Sequence, residues 1–159
     1  MRSNTYTLIF TSLITISLGF VLSFAATNLK SRQEINIEID MKKNILSALG
    51  IEPKRTKKWS IEEVNEVYEK YINGIVLDKN GNKTDKNPKD IDADKDNNFF
   101  PIYLHEVNEK ILGYVIPISG KGLWSTLYGY FAIETDCKTA KGITFYKHGE
   151  TPGLGGEVE

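Results

Sequence analysis

A chain of 159 residues has room for one modest domain and an anchor. Its 20 basic and 21 acidic residues leave a formal charge of −1, which excludes the basic footprint of a nucleic-acid binder. Cys137 is the only cysteine, which excludes an internal disulfide and a cysteine-built zinc site. Its expected place is a buried or half-buried position at a strand end.

The first element is an uncharged stretch from Tyr6 to Ala26. About 20 apolar residues match the hydrocarbon thickness of a bilayer when helical. The serine and threonine hydroxyls within it can bond back to helix carbonyls. The stretch reads as a membrane anchor. A cleaved signal peptide, for which Ser23-Phe24-Ala25 offers a small-x-small site, and a buried soluble helix are the alternatives. Arg2 precedes it, and Lys30, Arg32, Lys42 and Lys43 follow, a charge balance that by itself keeps the trailing domain in the cytoplasm.

From Gln33 to Leu49, Ile35, Ile39, Ile45, Leu46 and Leu49 recur among charges, the pattern of an amphipathic helix ending at Gly50. The basic run Lys54 to Lys58 reads as a solvated loop, with anionic lipid or an acidic partner as the sharper alternative. Ser60-Ile61-Glu62-Glu63 carries an N-cap and a capping-box glutamate. Ile61, Val64, Val67, Tyr68, Tyr71 and Ile72 then share one face, which reads as core.

Gly74 to Asp78 reads as a strand and Lys79 to Asn82 as an Asn-Gly turn. Lys83 to Asn98 is so poor in apolar residues that a mobile surface loop is expected. Asp90, Asp92, Asp94 and Asp96 alternate within it, but the glycine and glutamate of a calcium loop are missing. Phe99 to Val107 and Ile111 to Ile118 read as strands of a tight hairpin, with His105 a surface or partly buried structural residue. Leu127 to Thr135 and Gly142 to Tyr146 are two further strands, joined by a turn over 136–141. Helices followed by antiparallel strands indicate an α+β fold.

Two glycine-bearing loops stand out among these strands. One is Gly120-Lys121-Gly122-Leu123-Trp124-Ser125. The other is His148-Gly149-Glu150-Thr151-Pro152-Gly153-Leu154-Gly155-Gly156-Glu157. Glycines at this density let backbone amides approach a ligand closely. The candidate binding residues are Gly120, Gly122, Leu123, Trp124, Ser125, His148, Glu150, Thr151, Gly153, Leu154 and Gly155. Trp124 offers a flat surface, Ser125 and Thr151 offer hydroxyls, and His148 offers a donor or a turn cap. Glu150 offers a carboxylate. No metal site and no nucleophile–base pair stands out.

The run PISGKGLWS…LYGYFAIETD…GITFYKHGETPGLGGEVE resembles the FMN-binding domain of flavoprotein subunits in bacterial redox-driven ion pumps. In detail it is similar to the C subunits of the Na⁺-translocating NADH:quinone reductases. The resemblance implies an α+β chain: one N-terminal transmembrane helix, then an antiparallel-sheet FMN-binding domain with flanking helices. On that reading residues 1–28 are tail and anchor, 29–73 a helical connector and 74–159 the flavin domain. It implies FMN as cofactor and electron relay from NADH towards quinone. It also implies the other subunits of the complex and the lipid bilayer as partners. The place is the bacterial inner membrane, single-pass, with the flavin domain on the periplasmic side against the bare charge count.

Such subunits attach FMN to a threonine in a Ser/Thr-Gly-Ala-Thr motif, and no such motif occurs in this sequence. The expectation is a chain incomplete at its C-terminus, continuing beyond Glu159. The alternatives are the G subunit of the related ferredoxin-linked complex and a membrane-tethered binding or assembly module without flavin.

Overall fold

The computed structural model describes residues 4–53, 59–93, 95–153 and 155–156. The chain forms two compact units, 1–38 and 39–159. The basic run at 54–58, Asp94, Leu154 and residues 157–159 lie outside the described residues.

The first unit is helical over its described residues. Its helix, α1 (Asn4–Ala48), continues into the second unit, so the anchor and the amphipathic stretch after Gln33 form one element. No glycine or proline interrupts the junction at 27–38. Leu8, Phe10, Leu13, Leu18, Phe20, Leu22 and Phe24 are exposed along it. Among the described residues it is one helix long and apolar enough to cross a membrane. Threonines within it spend their hydroxyls on the turn before, as in Thr11 donating to the Thr7 carbonyl at 2.7 Å.

In the second unit the last turns of α1 bury Ile39, Ile45, Leu46 and Ala48. Gly50, at φ +74°, ends the helix. Its N–H donates to Ser47 and that of Ile51 to Leu46, which satisfies carbonyls that a helix end would leave open. α2 (Ile61–Tyr71) starts at the expected capping box: Glu63 N–H donates to Ser60 Oγ, and Ser60 N–H to Glu63 Oε2. Of its expected stripe, Val64 is fully buried and Val67, Tyr68 and Tyr71 pack against the core. Ile61 is 46% exposed, because the helix meets the core only a turn later.

α2 runs directly into a six-stranded antiparallel sheet. The strands are β1 (Ile72–Asp78), β2 (Lys83–Thr84), β3 (Phe99–Val107), β4 (Lys110–Lys121), β5 (Thr126–Ile133) and β6 (Ala140–Lys147), in the order β2-β1-β3-β4-β5-β6. The register pairs Tyr103 with Val115 and Val115 with Ala132. These residues, with Ile72 and Tyr130, meet Ile45, Leu46, Ala48 and Leu49 in a single core. α1 comes so close to β6 that a Cβ on Gly142 would lie 2.5 Å from the Ala48 carbonyl oxygen.

Three expectations are corrected. The polar segment from Lys83 to Asn98 is organised, not merely a loose loop: it holds β2 and a short 3-10 turn at Pro88–Asp90. Asp78 turns the chain into β2 by accepting from the N–H groups of Asn80 and Asn82, both at 2.8 Å, and Asn87 starts the 3-10 turn by accepting from the Lys89 N–H at 3.0 Å, turn chemistry independent of burial. Cys137 is exposed, at φ 54° in the β5–β6 turn, and not at a strand end. Asp136 builds that turn by accepting from Lys138, Thr139 and the Thr139 hydroxyl. Finally, Gly120 belongs to β4, so the first glycine loop is shorter than the motif.

Candidate functional site

β4 and β5 form a hairpin whose tip is 122–125, and β6, pairing with β5, delivers 148–156 beside it. The two motifs are therefore neighbours because the strands carrying them are consecutive in the sheet. The tip is closed by the Gly122 N–H donating to the Ser125 carbonyl at 2.7 Å.

Glu150 joins the two loops. Its Oε1 accepts from the Ser125 N–H at 2.9 Å, the Trp124 N–H at 3.1 Å and the Ser125 hydroxyl at 3.1 Å. The residue is 8% exposed, so these donors replace most of the carboxylate's water. The Ser125 N–H holds its carboxyl below the usual carboxylate range, aided by the Trp124 N–H and the Ser125 hydroxyl, while desolvation works against them. Ser125 also accepts from the Gly149 N–H at 2.7 Å, which fastens the second loop from its other side. His148 Nδ1 accepts from the Glu150 N–H at 3.2 Å and so caps the turn into the clamp.

This clamp explains Gly122. A Cβ there would stand 2.5 Å from Glu150 Oε1 and 2.9 Å from the Ser125 carbonyl oxygen. Gly153 and Gly155 sit at φ +77° and +135°, where other residues are strained. Gly120 has open space around it and no such need.

Gly122, Trp124, Ser125, His148 and Glu150 are thus brought together by direct contacts. Leu123 and Trp124 project from the clamped tip, 71% and 70% exposed. Thr151, Gly153 and Gly155 follow on the second loop; Leu154 lies outside the described residues. The clamp also reassigns Glu150 to its neighbours' donors, and it engages the Gly122, Trp124 and Ser125 amides internally. Gly149, absent from the candidates, proves to be part of the joint. Its signal was only its place between His148 and Glu150, since a bare glycine advertises no hydrogen bond.

Residues 122–159, which contain all of this, match the FMN-binding domain family. Over its whole length the sequence is 33% identical to the C subunit of the Na(+)-translocating NADH-quinone reductase of Vibrio anguillarum, covering 70% of that relative. The chain belongs to this NqrC family. The same subunit of Pasteurella multocida (strain Pm70) is 33% identical, with 96% of this chain and 66% of that one covered.

Crystal structures agree in fold. The NqrC-type subunit from Parabacteroides distasonis superposes with a TM-score of 0.68 at 28% identity, over 82% of this chain and 63% of that one. NqrC of Shewanella oneidensis gives 0.60 at 25% identity, over 75% of this chain and 63% of that one. The sequence spans 62% to 70% of the length of its curated NqrC relatives.

Proposed function

We propose that this chain is a membrane-anchored FMN-carrying subunit of a Na⁺-translocating NADH:quinone reductase, passing electrons from NADH towards quinone. The observation that carries the reading is the clamp: Glu150 locks two glycine loops together inside the segment that matches the FMN-binding domain family.

The residues present fit such a group. Leu123 and Trp124 are large apolar side chains held outward on a tip whose backbone cannot relax, because its own amides are already engaged. That arrangement supplies flat surface for a ring system without an ordering cost on binding. Thr151, exposed beside the clamp, supplies a hydroxyl. Gly153 and Gly155 let the backbone of the second loop pass close to the ligand. FMN, when bound, supplies electron transfer in single steps, and the protein supplies position and surroundings. The eleven candidate residues are proposed as contacts or supports of the group and not as its covalent attachment, since none lies in the threonine motif of such subunits.

The stretch from Tyr6 to Ala26, within the Asn4–Ala48 helix, is the proposed anchor, packing in the bilayer beside helices of partner subunits. Residues 1–28 would be tail and anchor, 29–73 the connector and 74–159 the flavin-binding part. We place the flavin-binding part on the periplasmic side, since a large trailing domain can be translocated despite the positive charges after the anchor.

Two substitutions test the site in protein isolated from membranes. Trp124→Ala removes the flat surface while sparing the clamp, and Glu150→Gln weakens the clamp while sparing the surface. Both should lower FMN occupancy, with the fold retained by circular dichroism. Full occupancy in both variants would place the flavin elsewhere.

A further inference from the structure

The segment at 83–98 is poor in apolar residues, yet its first half is tied to the sheet. Thr84 Oγ1 donates to the Val76 carbonyl at 3.0 Å and so pins β2 to β1. Asn87 caps the 3-10 turn, and Pro88 then lies against Gly74 and Tyr103. A Cβ on Gly74 would stand 3.0 Å from Pro88 Cγ, so the glycine is what lets the turn come this close. The segment thereby walls a cleft of about 400 Å³ against α1, α2 and β3. Small-molecule sites span roughly 300–1,000 Å³. None of the lining residues belongs to the two glycine loops.

The cleft has an apolar interior and a charged mouth. Met41 of α1, Tyr68 of α2 and Tyr103 of β3 line it with a thioether and two rings, all buried or half-buried. Tyr103 is 4% exposed, and its hydroxyl donates to Met41 Sδ at 3.9 Å. A thioether is a weak acceptor, so this buried donor has a better bond to make with an oxygen. Burial, then the neighbouring Tyr146, pushes its pKa up to about 12, so the hydroxyl keeps its proton at neutral pH. Lys86 and Lys89, both exposed, line the mouth, and Asp85 is the one carboxylate among the described lining residues. Lys42 adds a further positive charge, with Nζ 5.3 Å from the centre of the Tyr68 ring. The balance of charge around the cleft therefore favours an anion.

We propose that this cleft binds a planar aromatic carboxylate that carries an oxygen substituent on its ring. The Tyr68 and Tyr103 rings and the Met41 thioether suit a flat apolar body. The Tyr103 hydroxyl donates to the ring oxygen, and the lysines at the mouth attract the carboxylate. The wall is held by its own hydrogen bonds and by Pro88, so little of it has to be ordered on binding. The site is independent of what the glycine loops bind.

The test uses the protein purified from membranes and held in nanodiscs of zwitterionic lipid. The chain has two methionines, so isotopic labelling of methionine methyls gives Met41 a resonance of its own, assigned by its loss in Met41→Leu. Three probes are titrated against it by nuclear magnetic resonance: 6-hydroxy-2-naphthoate, 2-naphthoate and the neutral 2-naphthamide. The Met41 methyl should shift saturably with 6-hydroxy-2-naphthoate, and that probe should bind about threefold to tenfold more tightly than 2-naphthoate, the worth of one hydrogen bond. Tyr103→Phe should abolish that preference, a result that general loosening of the fold would not give. 2-Naphthoate should bind more tightly than 2-naphthamide, and Lys86→Gln combined with Lys89→Gln should bring the two together.

An unmoved Met41 methyl at millimolar probe would overturn the proposal, as would a shift that never saturates. Equal affinity for 6-hydroxy-2-naphthoate and 2-naphthoate would refute the role of Tyr103 and with it the site. Should Tyr103→Phe fail to fold, the exposed lysine pair decides. A preference for carboxylate over carboxamide that survives their replacement contradicts the proposal, and its loss supports it.

Discussion

Among single residues, the Glu150 carboxylate organises both loops because three donors converge on one of its oxygens. Those donors favour the charged form, so the folded state holds its proton less readily than the unfolded chain does. The clamp therefore contributes fully above the ordinary glutamate value of roughly pH 4.3, and is lost as pH falls below it through the depressed one. Protection of the Trp124 and Ser125 amides from hydrogen exchange, taken relative to the intrinsic rate at each pH, should fall over that interval. In Glu150→Gln that protection should be low at neutral pH already and lose its acid dependence. Gly122→Ala attacks the same joint sterically, through the 2.5 Å approach to Glu150 Oε1. Overpacking of this kind costs roughly 1–3 kcal/mol, which chemical denaturation of the variant would show. His105 follows the same sign. Burial, then the Lys141 charge, lowers its pKa, so stability should decline as pH falls below roughly 6.5, and His105→Gln should flatten that decline.

Among the elements, the helices act as a lid on one face of the sheet. Ile45 is wholly buried, and Ile45→Ala should cost about 2–5 kcal/mol of unfolding free energy. Ser60→Ala removes the cap of α2 and should cost about 1 kcal/mol, a small fall in melting temperature without loss of fold. Lys42, 7% exposed, donates to Asn65 Oδ1 at 2.7 Å and ties α1 to α2. The amino-acid sequence declares much of this level. The capping box at Ser60, the Gly50 stop and the hairpin at Asn108-Glu109 depend on local chemistry that a few residues reveal. Features that stayed hidden lacked such a local signal. The single helix from Asn4 to Ala48 had nothing within it to divide it or to join it. The segment from Lys83 to Asn98 looked structureless because its order comes from side-chain-built turns, such as those at Asn87 and Asp96, and not from apolar residues. In the site, residue types singled out two loops, which the sheet brings side by side, but not that Glu150 would turn inward to neighbouring amides.

In the molecule as a whole, a helix exposed along its apolar length continues into a sheet unit whose two glycine loops are locked together by Glu150. The helix is proposed to belong in the bilayer, and the loops are proposed to belong to FMN. The protein should then stay with the membrane fraction through carbonate washing and leave it only with detergent. The flavin is decided by the visible absorption spectrum, with flavin content per chain, of the protein purified from membranes. A flavin spectrum and one FMN per chain are expected, diminished in Trp124→Ala. A colourless protein that takes up no FMN would contradict the assignment.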